Sequence, residues 1–169
     1  MMDPHRKQWN EQQQALQHSL AKPDAQTIPL FLTQHAMLHT AQMSGVGLYS
    51  FEDEVWHDLS EATFRRVPRP GEHSIAWMVW HVTRIEDMTM NLLVAGRPQV
   101  FSESDWSRRL NVAVCDTGNA MNDEAAAALS AAVDMDALRE YRLLVGRRTR
   151  EVVQALEPAT FKKKVNPAR

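Results

Sequence analysis

The chain has 169 residues, a formal net charge of −2 and one cysteine, Cys115. This length suffices for one domain with a sizeable core, and the near-neutral charge excludes the strong field typical of proteins that bind nucleic acid or anionic membranes. A single cysteine excludes an internal disulfide and a cysteine-based zinc site.

The N-terminal residues and the hydropathy of the chain predict where the protein resides. The first twenty residues, "MMDPHRKQWNEQQQALQHSL", lack the apolar segment of a signal peptide. No apolar run approaches the roughly 18 residues that a membrane span requires. We therefore expect a cytoplasmic protein with no membrane and no nucleic-acid partner.

The first part of the chain predicts helices separated by polar breaks. Residues 5–20 are rich in glutamine and predict a short surface helix, so we assign residues 1–28 to a polar N-terminal extension and residues 29–169 to a helical domain. Residues 29–43 predict a long helix. Apolar and histidine side chains recur along it at three- and four-residue steps, at Phe31, Leu32, His35, Leu38 and His39.

Cap residues predict where the following helices begin. Ser50 predicts an N-cap, with Asp53 in a capping-box position three residues later. Asn122 predicts the cap of a helix over "DEAAAALSAAV", and either Asp134 or Asp136 predicts the cap of the last long helix. No strand signal occurs, so the sequence predicts an all-α protein.

The clearest helix is predicted over residues 73–95. Its apolar side chains recur at helical steps and are expected to face the core, at Ile75, Met78, Val82, Ile85, Thr89 and Leu92. Gly96 and Pro98 end the pattern. The three longest helices are therefore expected near 29–43, 73–95 and 136–156.

His81 lies in the middle of this helix, on the apolar face with Met78 and Ile85 as helical neighbours. A buried imidazole needs a partner for each ring nitrogen, because an unpaired buried polar group costs about 1–3 kcal/mol. A divalent metal can satisfy that need, and so can a carbonyl or a carboxylate; spacing alone favours a core histidine. Glu86 and Asp87 are expected on a solvated face.

His35 and His39 form a His-x3-His pair. This spacing brings two imidazoles to one face of a helix, where they can hold one metal ion. Two histidines also fit a solvated or half-buried helix face, and spacing alone favours that interpretation. His57 and His73 are expected at the surface.

Three segments resemble the DinB/YfiT-like superfamily, whose members are up-down four-helix bundles. "SIAWMVWHVTRIEDMTMNLLVAG" resembles the second helix of that family, and "SFEDEVWHDLSEATFRRVPRPGEH" resembles the segment that leads into it. "LREYRLLVGRRTREVVQAL" resembles the third helix. The resemblance covers roughly residues 30–165 and is most specific around Trp80 and His81.

The resemblance implies that His81 is a metal ligand. In the family the other ligands are typically two histidines, four residues apart, on the fourth helix, and the metal is usually nickel or zinc. No histidine follows residue 81 here. Either the fourth helix and its histidine pair lie beyond residue 169, which we favour, or this member has lost the pair, and His35 and His39 then substitute for it.

The resemblance also implies a class of function. We expect a metal-dependent enzyme acting on a small molecule, with thiol-dependent transferase, isomerase or hydrolase chemistry. The alternative is a non-catalytic stress-response or binding bundle whose histidines are structural. A bundle without its fourth helix would leave apolar stripes to be covered, so a homodimer is expected. We further hypothesise that His81 and His39 share one metal ion.

Overall fold

The computed structural model describes residues 3–161 and 163–164. Regular structure within these residues is helical and includes no strand, which confirms the predicted all-α class. The α-helices are α1 (Pro4–Ala21), α2 (Thr27–Leu38), α3 (Ala41–Ser44), α4 (Phe51–Trp56), α5 (Glu61–Arg65), α6 (Ile75–Asp87), α7 (Trp106–Arg109), α8 (Asp123–Ala132) and α9 (Met135–Gln154). Among these described helices, none is both long enough and apolar enough to cross a membrane.

The described residues form two compact units. The first contains the residues up to His57, with α1 to α4, and the residues from Arg150 onward. The second runs from Asp58 to Thr149 and contains α5 to α8 and most of α9. The histidine pair belongs to the first unit and His81 to the second.

In the first unit, α1 is longer than the short surface helix that the polar sequence predicts. Its N-cap is Asp3, whose carboxylate accepts hydrogen bonds from the backbone N–H groups of His5 (2.7 Å) and Arg6 (3.0 Å). The amide of Gln34 on α2 donates to the carbonyl of Trp9 on α1 over 3.0 Å. At 18 residues α1 exceeds the 12 residues of α2, so the prediction that 29–43 holds one of the three longest helices is wrong.

The predicted helix over residues 29–43 is divided in two. α2 ends at Leu38, and the backbone of His39 is extended, with φ −118° and ψ 164°. Asp53 explains part of this break, because its carboxylate accepts a hydrogen bond from the backbone N–H of Ala41 at the start of α3 (2.8 Å). Ser50 caps α4 as predicted, through the N–H of Asp53 (2.9 Å).

In the second unit, α6 begins at the N-cap Ser74, whose hydroxyl accepts a hydrogen bond from the N–H of Trp77 (3.0 Å). The predicted helix over 73–95 continues as far as Ala95, but the α-helix gives way to a π-helical segment at Met88–Ala95. The segment ends at Gly96, which has a positive φ of 63°. Segments of π-helix inside longer helices are rare overall, and those that occur often lie at functional sites.

The buried face of α6 differs from the predicted one. Met78, Val82 and Ile85, which the spacing places in the core, are 47%, 39% and 39% exposed. The fully buried side chains of this helix and the π-helical segment are Ala76, Trp80, Thr83, Arg84, Asp87 and Asn91. The residues of both faces recur at helical spacing. The buried face carries the indole of Trp80 and several hydrogen-bonded polar side chains, so a search for apolar periodicity alone does not detect it.

The last two helices of this unit begin where the caps predict. Asn122 accepts the N–H of Ala125 (2.9 Å) at the start of α8, and Asp134 accepts the N–H of Ala137 (2.8 Å) at the start of α9, which decides between the two predicted caps. The predicted stripe of α9 is buried at Leu138, Tyr141, Val145 and Val152. After α9, the described residues contain a 3-10 turn at Pro158–Thr160, and a fourth-helix histidine pair stays a prediction.

Candidate metal centre

The first unit brings His35 and His39 together. Their ring centroids are 4.3 Å apart with 35° between the ring planes, and each ring offers a nitrogen within 4.8 Å of a nitrogen of the other. Both side chains are buried. The prediction that this pair lies on one side of its segment, close enough to hold an ion, agrees with this geometry.

The local sequence fixes both rings. His35 occupies the last turn of α2, where its ring stacks against Phe31 at 5.8 Å. His39 is the residue that ends the helix, and its carbonyl accepts a hydrogen bond from the buried hydroxyl of Ser50 (2.7 Å). Ser50 therefore caps α4 and also holds the backbone that carries His39.

A buried carboxylate accompanies this pair. Oε2 of Glu52 lies 3.9 Å from Nδ1 of His39, and both side chains are less than a tenth exposed. The indole N–H of Trp56 donates to Oε1 of the same carboxylate over 3.0 Å and fixes its orientation. Sequence reasoning missed Glu52. A signal was present, because Glu52 and Trp56 are one helical turn apart and the indole N–H of a buried tryptophan requires an acceptor.

This set of donors suits a borderline divalent metal. Zinc and nickel are bound by imidazole nitrogens, and a carboxylate oxygen completes many such sites. Two nitrogens bound to one tetrahedral zinc ion at about 2.0–2.1 Å are about 3.4 Å apart. The ligand nitrogens of His35 and His39 lie within 4.8 Å of each other, so these two side chains could hold a metal ion.

His81 lies in the second unit and is half-buried. Its Nδ1 is 2.5 Å from the carbonyl oxygen of Thr117. Its ring stacks on the indole of Trp77, with centroids 4.4 Å apart and an interplanar angle of 15°. A carbonyl is one of the partners that the sequence predicts for this imidazole. The prediction that His81 and His39 share one ion stays a prediction.

At the end of α6, the expectation of a solvated Asp87 is wrong. The carboxylate is fully buried and accepts hydrogen bonds from the side chains of Arg84 (3.2 Å), Asn91 (2.7 Å) and Tyr141 (2.6 Å) and from the backbone N–H groups of Val100 (2.9 Å) and Phe101 (2.9 Å). Burial raises the pKa of the Tyr141 phenol far above its usual value, and the charge of Asp87 adds to the increase. Glu86, the neighbouring residue, is half-buried.

The remaining histidines singled out from the sequence lie outside the pair. His57 ends α4 and is exposed, as expected. His73 is half-buried, and its ring stacks on Trp77 with the centroids 3.8 Å apart. Cys115 is an exposed free thiol in a loop.

The sequence model of the DinB superfamily matches residues 53–168, more than half of the chain. The chain belongs to the DinB superfamily. The match includes His81, whereas His35 and His39 lie before the matched residues and come from a part of the chain that the family model does not cover. A comparison with curated proteins finds no match to this sequence.

Proposed function

We propose that this DinB-superfamily protein is a metal-dependent enzyme acting on a small molecule, with thiol-dependent transferase, isomerase or hydrolase chemistry. The observation that carries the proposal is the buried His35–His39 pair, whose ligand nitrogens lie within 4.8 Å of each other. Burying two adjacent imidazoles is costly unless their ring nitrogens have partners, and a divalent ion between the rings would be one such partner.

The charge next to the pair supports a divalent cation. Moving an ion into a buried site is costly unless opposite charge is close by. The carboxylate of Glu52, 3.9 Å from Nδ1 of His39, supplies negative charge next to the pair and can orient the His39 imidazole. Zinc or nickel is the proposed metal, since both bind imidazole.

When bound, such an ion polarises a substrate carbonyl or lowers the pKa of a bound water or thiol. The residues of this chain would prepare the site for that chemistry. His35 and His39 would provide neutral nitrogen ligands, and the burial of both rings would keep bulk water from competing for the ion. His81, in the second unit, is proposed as a metal ligand, because the match to the DinB-superfamily model includes it and the carbonyl of Thr117 holds its Nδ1.

Calorimetric titration with zinc and with nickel tests the proposal. His35→Ala and His39→Ala should each weaken binding by more than about 100-fold, since losing a ligand costs more than the roughly 10–100-fold typical of residues that only orient a ligand. His18→Ala and His57→Ala remove exposed histidines and should bind as the parent does. Affinity should fall as the pH is lowered, because imidazole binds a metal only in its neutral form.

The number of metal ions bound per chain shows whether His39 and His81 bind the same ion. If His81→Ala and His39→Ala abolish the binding of the same single ion, both side chains serve it, as the sequence predicts. Parent-like affinity in both His35→Ala and His39→Ala would contradict the proposal. Loss of folding stability with unchanged metal affinity would favour the non-catalytic bundle with structural histidines. The contacts of His39 with Glu52 and of His81 with Thr117 are what such a protein would also require.

A further inference from the structure

Residues 115–118 contact α6 through hydrogen bonds and packing at consecutive turns of that helix. The guanidinium of Arg84 donates through Nη2 to the carbonyl of Cys115 over 2.5 Å. The carbonyl of Thr117 lies 2.5 Å from Nδ1 of His81. Gly118 packs on Trp80 so closely that an added Cβ would be 2.6 Å from an indole carbon. These contacts fix where the carbonyl of Thr117 lies relative to the imidazole.

The contact with Thr117 determines the tautomer of His81. A carbonyl oxygen can only accept a hydrogen bond, so Nδ1 must carry the proton that it donates. In the neutral ring Nε2 then has the free electron pair, which is the form in which that nitrogen binds a metal. The stack on Trp77, with 15° between the planes, holds the plane of the ring. The ring is therefore fixed both in its plane and in its protonation pattern.

Arg84 can hold this segment because its own position is fixed. The side chain is fully buried and donates through Nη1 to Tyr141 (2.8 Å) and Asp87 (3.2 Å) and through Nη2 to Gln99 (2.6 Å). The neighbouring Gly118 adopts a positive φ of 78°, a conformation that glycine accepts readily.

We propose that Arg84 and Gly118 are positioning residues for His81. They hold residues 115–118 so that the carbonyl of Thr117 selects the Nδ1–H tautomer and leaves Nε2 as the ligand atom. The value of this arrangement to metal binding rests on the proposed function, whereas the tautomer itself does not. Residues that orient a metal-bound histidine typically change metal affinity by about 10–100-fold when they are replaced.

Gly118→Ala is the decisive variant, and Gly71→Ala is its matched control. Both glycines belong to the second unit and have nearly the same φ, 78° and 79°, but an added Cβ meets nothing within 4 Å at Gly71. The two variants therefore share the backbone strain and differ in the collision with Trp80. Long-range ¹⁵N–¹H NMR of the metal-free protein, above the pH range of imidazole protonation, reports the tautomer, and His81→Gln identifies the signal.

The parent and Gly71→Ala should show the Nδ1–H tautomer, and Gly118→Ala should show a mixture in which Nε2–H is populated. Arg84→Lys, which keeps a positive charge beside Asp87, provides a second variant with the same expectation. An Nε2–H tautomer in the parent, or an unchanged Nδ1–H tautomer in folded Gly118→Ala or Arg84→Lys, would overturn the inference.

Zinc titration of the same variants separates this inference from the proposed function. A changed tautomer with a dissociation constant raised about 10–100-fold supports both. A changed tautomer with unchanged zinc affinity supports the positioning role and shows that His81 is not a ligand. An unchanged tautomer overturns the positioning role whatever the zinc affinity, because the NMR measurement contains no metal.

Discussion

Asp87 is the residue whose loss we expect to be most destabilising in the second unit. Asp87→Ala leaves the buried guanidinium of Arg84 without its carboxylate and removes the acceptor of two backbone N–H groups. Breaking a buried ion pair from one side costs about 3–5 kcal/mol, which is a large part of the 5–15 kcal/mol that stabilises a typical domain. Urea unfolding followed by tryptophan fluorescence measures the change in the free energy of unfolding.

Asp136→Ala is the control for this substitution, because Asp136 is an exposed aspartate in the first turn of α9. Its loss should cost less than about 1 kcal/mol. Asp87→Asn provides a milder variant with the same shape. It should also be destabilised, because the amide N–H groups of the asparagine would face groups that donate hydrogen bonds to the carboxylate of Asp87. Equal stability of the parent and both Asp87 variants would show that the buried ion pair contributes nothing to folding.

The two tyrosines are expected to ionise only at strongly alkaline pH. The hydrogen bond to Glu54 raises the pKa of Tyr49 to about 12, and burial raises that of Tyr141 further. An unfolded tyrosine has a pKa of about 10. The contribution of both groups to stability is therefore complete below about pH 10 and is lost as the pH rises through their folded pKa values, because only the unfolded chain releases the protons early.

Absorbance of tyrosinate in the near ultraviolet measures this titration. Tyr49→Phe should remove the transition at about pH 12, and Tyr141→Phe should leave it in place. In the parent, Tyr141 should ionise only together with alkaline unfolding. Ionisation of both tyrosines near pH 10 in a protein that is still folded would contradict the hydrogen bond between Tyr49 and Glu54 and the burial of Tyr141.

At the scale of the residue, the sequence predicts contacts between residues that are close along the chain. His35 and His39 are four residues apart, so a helical turn is enough to predict that they meet. The partner of His81 is 36 positions away in the chain, and a loop conformation that no spacing rule describes brings it there. Arg84 and Asp87 illustrate the same point. A charged pair on a helix is predicted to be solvated, and only the contacts made by distant parts of the chain show that it is buried.

At the scale of the element, the starts of helices are more predictable than their faces. Ser50, Asn122 and Asp134 cap helices as the sequence predicts, because a cap depends on its own residue and the next turn. The π-helical segment at Met88–Ala95 and the buried face of α6 depend on contacts with residues 97–101 and with α9. Apolar spacing contains no information about those contacts, and the face predicted from it was wrong at Met78, Val82 and Ile85.

At the scale of the whole molecule, the exposed apolar residues of α6 bear on the predicted homodimer. Soluble monomers rarely expose large contiguous apolar patches, and two-fold dimers are the commonest way to cover them. Met78, Val82 and Ile85 lie at successive turns of one helix and are all exposed. Full burial of an exposed aliphatic side chain of this size contributes about 1.5–3 kcal/mol. Because these three are 39–47% exposed, each can contribute about half of that to association.

We therefore expect light scattering to give twice the mass of one chain, and Val82→Glu to give the mass of one. The introduced charge would have to be buried at the apolar face of α6, at a cost of several kcal/mol per chain, which opposes association through that face. Val46→Glu is the matched control, because Val46 is 50% exposed and lies in the first unit. It should remain dimeric. A parent protein that stays monomeric at high concentration would leave the apolar residues of α6 exposed in solution and would refute the predicted homodimer.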